Sequence, residues 1–273
     1  MLSFEVPVWL SFGAAVAAGF ASGVLSAMMG IGGAIVTTPA VRLLGGTPIE
    51  AVGSTVPAIV PGAISGAWRY AREGMVEWRL ALSLGIAGSV FAVLGARTSD
   101  AVSGRLLMVL TASVMLWAGT TVLWKVRGER GDGSDPEPTD RAVAARDSIP
   151  LLAVAGAIAG FVAGLLGVGG GIILVPVLTG VLHLPMRRAV ASSLVGVAIF
   201  QVPALATHIW LGHVNWAYAL PLVIGAFPGA QVGAHITVGS TDRTIRIFFG
   251  LLIVVLAVLY GVSEVRGIIQ RGW

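Results

Sequence analysis

The chain has no cysteine among its 273 residues. Structural disulfides, thiol catalysis and cysteine-ligated metals are therefore excluded. Charge is scarce too. Asp, Glu, Lys and Arg make up 11% of the residues, against the roughly 25% usual in soluble domains. So few charged groups cannot cover the water-facing surface of a soluble protein of this length. Only one lysine is present, Lys125, and no Walker-type phosphate loop surrounds it. Disordered, collagen-like and disulfide-framework chains are also excluded on composition.

What is present is apolar. Hydrophobic residues make up 56% of the chain, and the mean hydropathy is +0.91. No charged residue occurs in 6–41, 51–68, 80–96, 106–124, 148–186, 189–241 or 247–263. A helix needs about 20 apolar residues to cross a hydrocarbon core. The shorter blocks hold one span each, and the three longest must fold back, giving about ten hydrophobic helices. The period-2 alternation of a membrane β-barrel is missing. Composition thus predicts an all-α integral membrane protein that crosses a lipid bilayer several times. The pI near 10.3 is accounted for by arginines at span edges and in a linker, and no nucleic-acid partner is expected. The N-terminus lacks a basic stretch, so no cleaved signal peptide is expected.

A polar stretch rich in Gly, Pro, Asp and Glu divides the chain. It predicts a first transmembrane repeat over 1–125, a solvated linker over 126–147 and a second repeat over 148–273. The halves match. Gly30-Ile31-Gly32-Gly33-Ala34-Ile35, ending at Pro39, corresponds to Gly167-Val168-Gly169-Gly170-Gly171-Ile172, ending at Pro176. Ala51-Val52-Gly53-Ser54-Thr55 corresponds to Ala189-Val190-Ala191-Ser192-Ser193, and the offset stays at 138 through Trp78/Trp216, Gly95/Gly233 and Arg105/Arg243. Matching Gly19-Phe20-Ala21-Ser22-Gly23 to Gly160-Phe161-Val162-Ala163-Gly164 implies about four extra residues near Ser26–Met29, roughly one helical turn. The expected elements are 7–29, 32–45, 51–70, 79–97 and 104–125, then 148–166, 169–182, 188–211, 216–235 and 243–263.

Loop charge orients the halves. The 69–79 loop carries Arg69, Arg72 and Arg79, whereas its repeat-mate at 211–215 carries no basic residue. With the basic linker on the cytoplasmic side, the 69–79, 183–188 and 236–242 loops fall inside and 211–215 outside. Five crossings per half then make the repeats inverted, as in many secondary transporters. Arg266 and Arg271 run against this count. Were the short second elements to re-enter without crossing, the repeats would be parallel.

The glycine clusters are the strongest candidate site. Several glycines together break a helix. A helix that restarts inside a membrane protein offers free N–H groups and the positive end of its dipole. Gly30, Gly32, Gly33, Gly167, Gly169, Gly170 and Gly171 are therefore candidate anion ligands in broken helices near the midplane. Close helix packing is the competing reading, as in Gly156/Gly160/Gly164 and Gly225/Gly229/Gly233. Ser54, Thr55, Ser192 and Ser193 could donate to the same anion, or bond back to the preceding turn. Gln201 and His208, with Thr207, lie on one polar line within a span; Gln201 and His208 are candidate substrate ligands facing a cavity, although His208, near the span end, could instead sit at the interface. No mid-span carboxylate, metal-ligand spacing or nucleophile–base pair occurs, so no metal, cofactor or enzyme activity is expected.

The duplicated Gly-[Ile/Val]-Gly-Gly segments, each followed by Ala-x-[Gly/Ala]-Ser-[Thr/Ser], resemble the sulfite exporter TauE/SafE family over nearly the whole chain outside the linker. That resemblance implies a prokaryotic inner-membrane secondary transporter exporting a small organic or sulfur-containing anion, of the sulfite or sulfonate class, by alternating access. An anion channel and, less favoured, a membrane-embedded enzyme are the alternatives. Assembly as a homo-oligomer is left open.

Overall fold

The computed structural model describes residues 8–128 and 148–239. All regular structure within them is helical. The first half forms α1 (Val8–Met29), α2 (Ala34–Leu43), α3 (Pro48–Arg72), α4 (Trp78–Ala101) and α5 (Gly104–Gly128). The second forms α6 (Ile149–Leu166), α7 (Gly171–Gly180), α8 (Met186–Trp210) and α9 (Trp216–Gly239). These agree with nine of the expected elements to within a few residues. The expected tenth, 243–263, and nearly all of the 126–147 linker lie outside the described residues. Among the described residues, five helices are long and apolar enough to cross a membrane: α1 over Ser11–Met29, α4, α6, α8 and α9.

Outward faces of these helices are apolar. Leu82, Ile86, Val90 and Leu94 on α4, and Leu220, Ile224 and Phe227 on α9, are exposed. A continuous apolar surface of this kind requires a lipid rather than a water neighbour. At the centre, α3 and α8 bury Ser54, Thr55, Ser192, Ser193 and Gln201 completely. Prolines inside the helices, such as Pro57, Pro61, Pro203 and Pro228, are tolerated because neighbouring helices and hydroxyls take up the freed backbone groups.

Small residues decide which helices touch. On α1, Gly19 and Gly23 abut the backbone of Leu222 and Ala226 on α9, while Gly225, Gly229 and Gly233 abut Val16, Phe20 and Val24. The contacts advance together along both chains, so the two helices run parallel. In the same way Gly156, Gly160 and Gly164 of α6 abut Leu84, Gly88 and Ala92 of α4. Packing was the competing reading for these glycine rows, and packing is what they do. The first helix of each half therefore lies on the fourth helix of the other. One packing group is α1, α2, α3 and α9, the other α4, α6, α7 and α8, with α3 against α8 between them.

This register corrects the sequence alignment. Gly19 occupies the place of Gly156, and Gly23 that of Gly160, because each abuts the repeat-equivalent partner on α9 or α4. The offset is then 137 from Gly19 through Gly30 to Pro39. It becomes 138 by one added residue between α7 and α8. The expected four-residue insertion near Ser26–Met29 is not there. Glycines every fourth residue let the alignment slip by one helical turn.

Candidate functional site

Each glycine cluster is a sharp reversal of the chain. Gly30, Gly32 and Gly33 have φ of 73°, 86° and 83°, and Gly167, Gly169 and Gly170 have 65°, 84° and 67°. Only glycine adopts this left-handed region readily, and the same three places use it in both halves. The reversal lays α2 back along α1, where the Ser22 hydroxyl donates to the Gly33 carbonyl at 2.6 Å. Gly33 and Gly170 stand at the N-caps of α2 and α7, and neither cap carries a side-chain hydrogen bond. Two uncapped helix starts thus lie inside the protein.

The reversals meet. A Cβ on Gly169 would stand 2.8 Å from the Cα of Gly32, and a Cβ on Gly32 would stand 2.8 Å from that of Gly169. A side chain on Gly171 would collide with the Gly30 carbonyl. The clusters therefore seal against one another and leave no room for a side chain between them.

The hydroxyl pairs clamp the reversals crosswise. Thr55 donates to the carbonyl of Val52 at 2.9 Å and to that of Gly167 at 3.3 Å. Ser193 donates to Val190 at 2.9 Å and to Gly30 at 3.0 Å. Their neighbours accept: Ser54 takes the Asn215 N–H and Ser192 the Glu77 N–H, each at 2.9 Å. Donation to an anion and bonding back to the preceding turn were the two readings of these hydroxyls; Thr55 and Ser193 bond back to Val52 and Val190 and reach on to the glycine carbonyls, while Ser54 and Ser192 accept from the N–H groups of the two turns.

Two further pairs fasten the helix ends. Asn215 Nδ2 donates to Glu50 at 3.0 Å, and Arg188 donates to Glu77 at 2.7 Å. Glu50 and Arg188 are repeat-equivalent, as are Asn215 and Glu77. Sequence reasoning does not find either pair, although the 138 offset aligns their positions. The same bonds place the 69–79 and 183–188 loops at one end of the bundle and the 211–215 turn at the other. At the first end Arg69, Arg72, Trp68, Glu73 and Gln231 line a cleft of about 220 Å³.

Several buried polar atoms within the bundle have no protein partner. Both side-chain amide atoms of Gln201 are unpaired, as are the hydroxyls of Ser26, Thr37 and Thr38. All four residues are at most 2% exposed. Ser26 adjoins the α2 cap: its Cβ lies 3.3 Å from where a Cβ of Gly33 would stand. Ala163 occupies the equivalent place in the second half, so only the α2 cap has a hydroxyl beside it. A buried polar group left unpaired costs about 1–3 kcal/mol. His208, by contrast, is engaged, its Nε2 lying 2.9 Å from the Gly164 carbonyl. No cluster of metal ligands occurs among the described residues.

Apolar outer faces, span-length helices and chain reversals at paired glycine clusters buried within the bundle define an integral membrane protein. The match to the sulfite exporter TauE/SafE model spans residues 15–260, and the chain belongs to that family of membrane transporters. Probable membrane transporter protein YunE of Bacillus subtilis is 26% identical over 268 residues, covering 90% of this chain and 96% of the relative. A probable membrane transporter protein of Xylella fastidiosa is 27% identical, covering 93% of this chain and 92% of its own. One from Methanocaldococcus jannaschii is 23% identical, covering 87% and 91%. No solved structure matches the chain.

Proposed function

We propose that the protein is a secondary transporter that exports a small organic or sulfur-containing anion, of the sulfite or sulfonate class, across a prokaryotic inner membrane. The observation that carries this reading is the uncapped start of α2 with the unpaired Ser26 hydroxyl beside it. Backbone N–H groups of the first turn, the helix dipole and the hydroxyl together suit a compact oxyanion. Gln201 supplies a further donor on the opposite packing group. The start of α7 is the weaker partner, since Ala163 stands where α2 has the Ser26 hydroxyl.

The two repeats are inverted in this reading. The reciprocal bonds support it: the start of α3 is tied to the turn after α8, and the start of α8 to the turn after α3. The end bearing Arg69, Arg72 and Arg188 faces the cytoplasm. Alternating access arises from movement of the α1–α2–α3–α9 group against the α4–α6–α7–α8 group. The exchanged fourth helices mean that the moving bodies are not the two halves of the sequence. Export of one negative charge from a negative-inside cell gains about 2.3 kcal/mol per 100 mV.

Counterflow in proteoliposomes tests the reading. Vesicles loaded with unlabelled sulfite or a small sulfonate should accumulate the labelled anion. The absence of counterflow for every sulfur oxyanion and small carboxylate would overturn it.

A further inference from the structure

At the end bearing the 211–215 turn, three titratable groups form a line. His208 Nε2 lies 2.9 Å from the Gly164 carbonyl, His208 Nδ1 lies 3.0 Å from His213 Nδ1, and His213 Nε2 lies 3.2 Å from Asp100 Oδ1. His208 is fully buried and His213 is 4% exposed, while the Asp100 side chain is 65% exposed. The line ends in an acceptor on both sides. A carbonyl only accepts, so His208 Nε2 must carry hydrogen. A carboxylate only accepts, so His213 Nε2 must carry one too. The central Nδ1–Nδ1 contact needs a third. Two neutral imidazoles hold two hydrogens. All three bonds form only when the trio holds one proton beyond that.

The opposite end shows that packing alone does not require this line. There the Tyr70 hydroxyl donates to the Ala27 carbonyl at 2.8 Å, the repeat-equivalent of the His208–Gly164 bond. Met75 and Val238 occupy the places equivalent to His213 and Asp100. A neutral phenol completes that end, with the Arg187 guanidinium and the Thr237 hydroxyl near it and no imidazole continuing the line. Charged groups near the histidines are few. Asp100 and Arg97 come from α4, with Arg97 over the Trp210 ring. Glu50 comes from α3 and is held by Asn215. Helix α6 carries none.

We propose that His208, His213 and Asp100 together bind one proton and that its presence holds this end of the transporter closed, the second clause resting on the transporter reading above. The proton reaches the pair from water through Asp100 and leaves the same way. While it is bound, the ends of α4, α6 and α8 are joined through the 211–215 turn. That turn packs its His213 carbonyl on Gly53 and gives the Asn215 N–H to Ser54, the neighbour of the Thr55 that clamps Gly167. Loss of the proton removes one of the three bonds and frees the turn beside the second glycine reversal.

Two measurements on the full-length protein test this. In detergent micelles, nitrogen NMR of histidine-labelled protein should show His208 and His213 taking up one proton between them as pH falls from about 8 to about 5. Uptake of none or of two would overturn the site, whether or not the protein transports. In proteoliposomes at equal pH on both sides, counterflow should slow at least five-fold over the same range. Asp100→Asn supplies an N–H to His213 Nε2 and completes all three bonds without the extra proton. This variant should be slow at every pH. A wild-type pH step that persists in Asp100→Asn would overturn the gating role. No counterflow in the wild type would defeat the transporter reading and the gating role, while the NMR titration still decides the proton site.

Discussion

Gly32 and Gly169 stand back to back, 137 positions apart, so close that a Cβ on either would lie 2.8 Å from the other's Cα. Both have φ above 80°. Two chain reversals from different halves are thereby pressed together in the middle of the bundle. Alanine at either place meets a steric cost twice over. The left-handed backbone costs an L-residue about 1–2 kcal/mol, and the partner backbone must also shift. Gly32→Ala and Gly169→Ala should each lower the thermal unfolding temperature in detergent by several degrees and cut counterflow at least ten-fold. Gly45→Ala, also at positive φ but with nothing within 4 Å, should reproduce only the backbone cost and leave counterflow near wild type. Equal effects at all three positions would contradict the back-to-back contact.

The crosswise clamps predict a pair of matched losses. Thr55→Val and Ser193→Ala each remove a donor and leave a buried glycine carbonyl with one bond fewer. Each should destabilise by about 1–3 kcal/mol, measured by chemical or thermal unfolding in micelles. Both clamps bear on one backbone contact, so the double variant should deviate from additivity. Two strictly additive effects would separate the clamps from each other.

The parallel helix interfaces should tolerate no bulk. Gly160→Leu places a side chain against the Gly88 backbone, and Gly23→Leu against Ala226. Either should prevent recovery of folded protein by size-exclusion chromatography. Gly13→Leu, with open space around it, should be recovered at the wild-type level. Recovery of Gly160→Leu at that level would sink the parallel register of α6 on α4.

Gln201 separates stability from function. Its amide has no protein partner although the residue is fully buried. Gln201→Leu should hold or raise thermal stability while lowering counterflow at least ten-fold. If stability and transport fall together, the amide is a structural group and not a ligand.

Much of the architecture is legible in the sequence because charge and hydropathy mark span ends directly. Arg42, Glu50, Arg69, Arg79 and Arg105 each stand near a helix boundary, and the intervening runs have span length. The glycine clusters are legible as reversals because no other residue suits repeated positive φ. The register of α1 is not, since Gly19 and Gly23 fit two alignments one turn apart and only their partners on α9 choose between them. The Glu50–Asn215 and Glu77–Arg188 pairs are also hidden. Equivalent places there carry different side chains, so similarity does not reveal them, while geometry does. The His213–Asp100 contact joins α4 to the turn after α8, and nothing local in either segment signals it.

The proposed anion site beside the α2 cap can be tested most directly with a single thiol, since the natural chain has none. Ser26→Cys should retain counterflow, react with a small thiosulfonate reagent during turnover, and lose transport on reaction. A saturating small sulfonate should slow that labelling several-fold. A thiol at this position that reacts at the same rate with and without the sulfonate, or whose modification leaves transport intact, would contradict the placement of the anion at the start of α2.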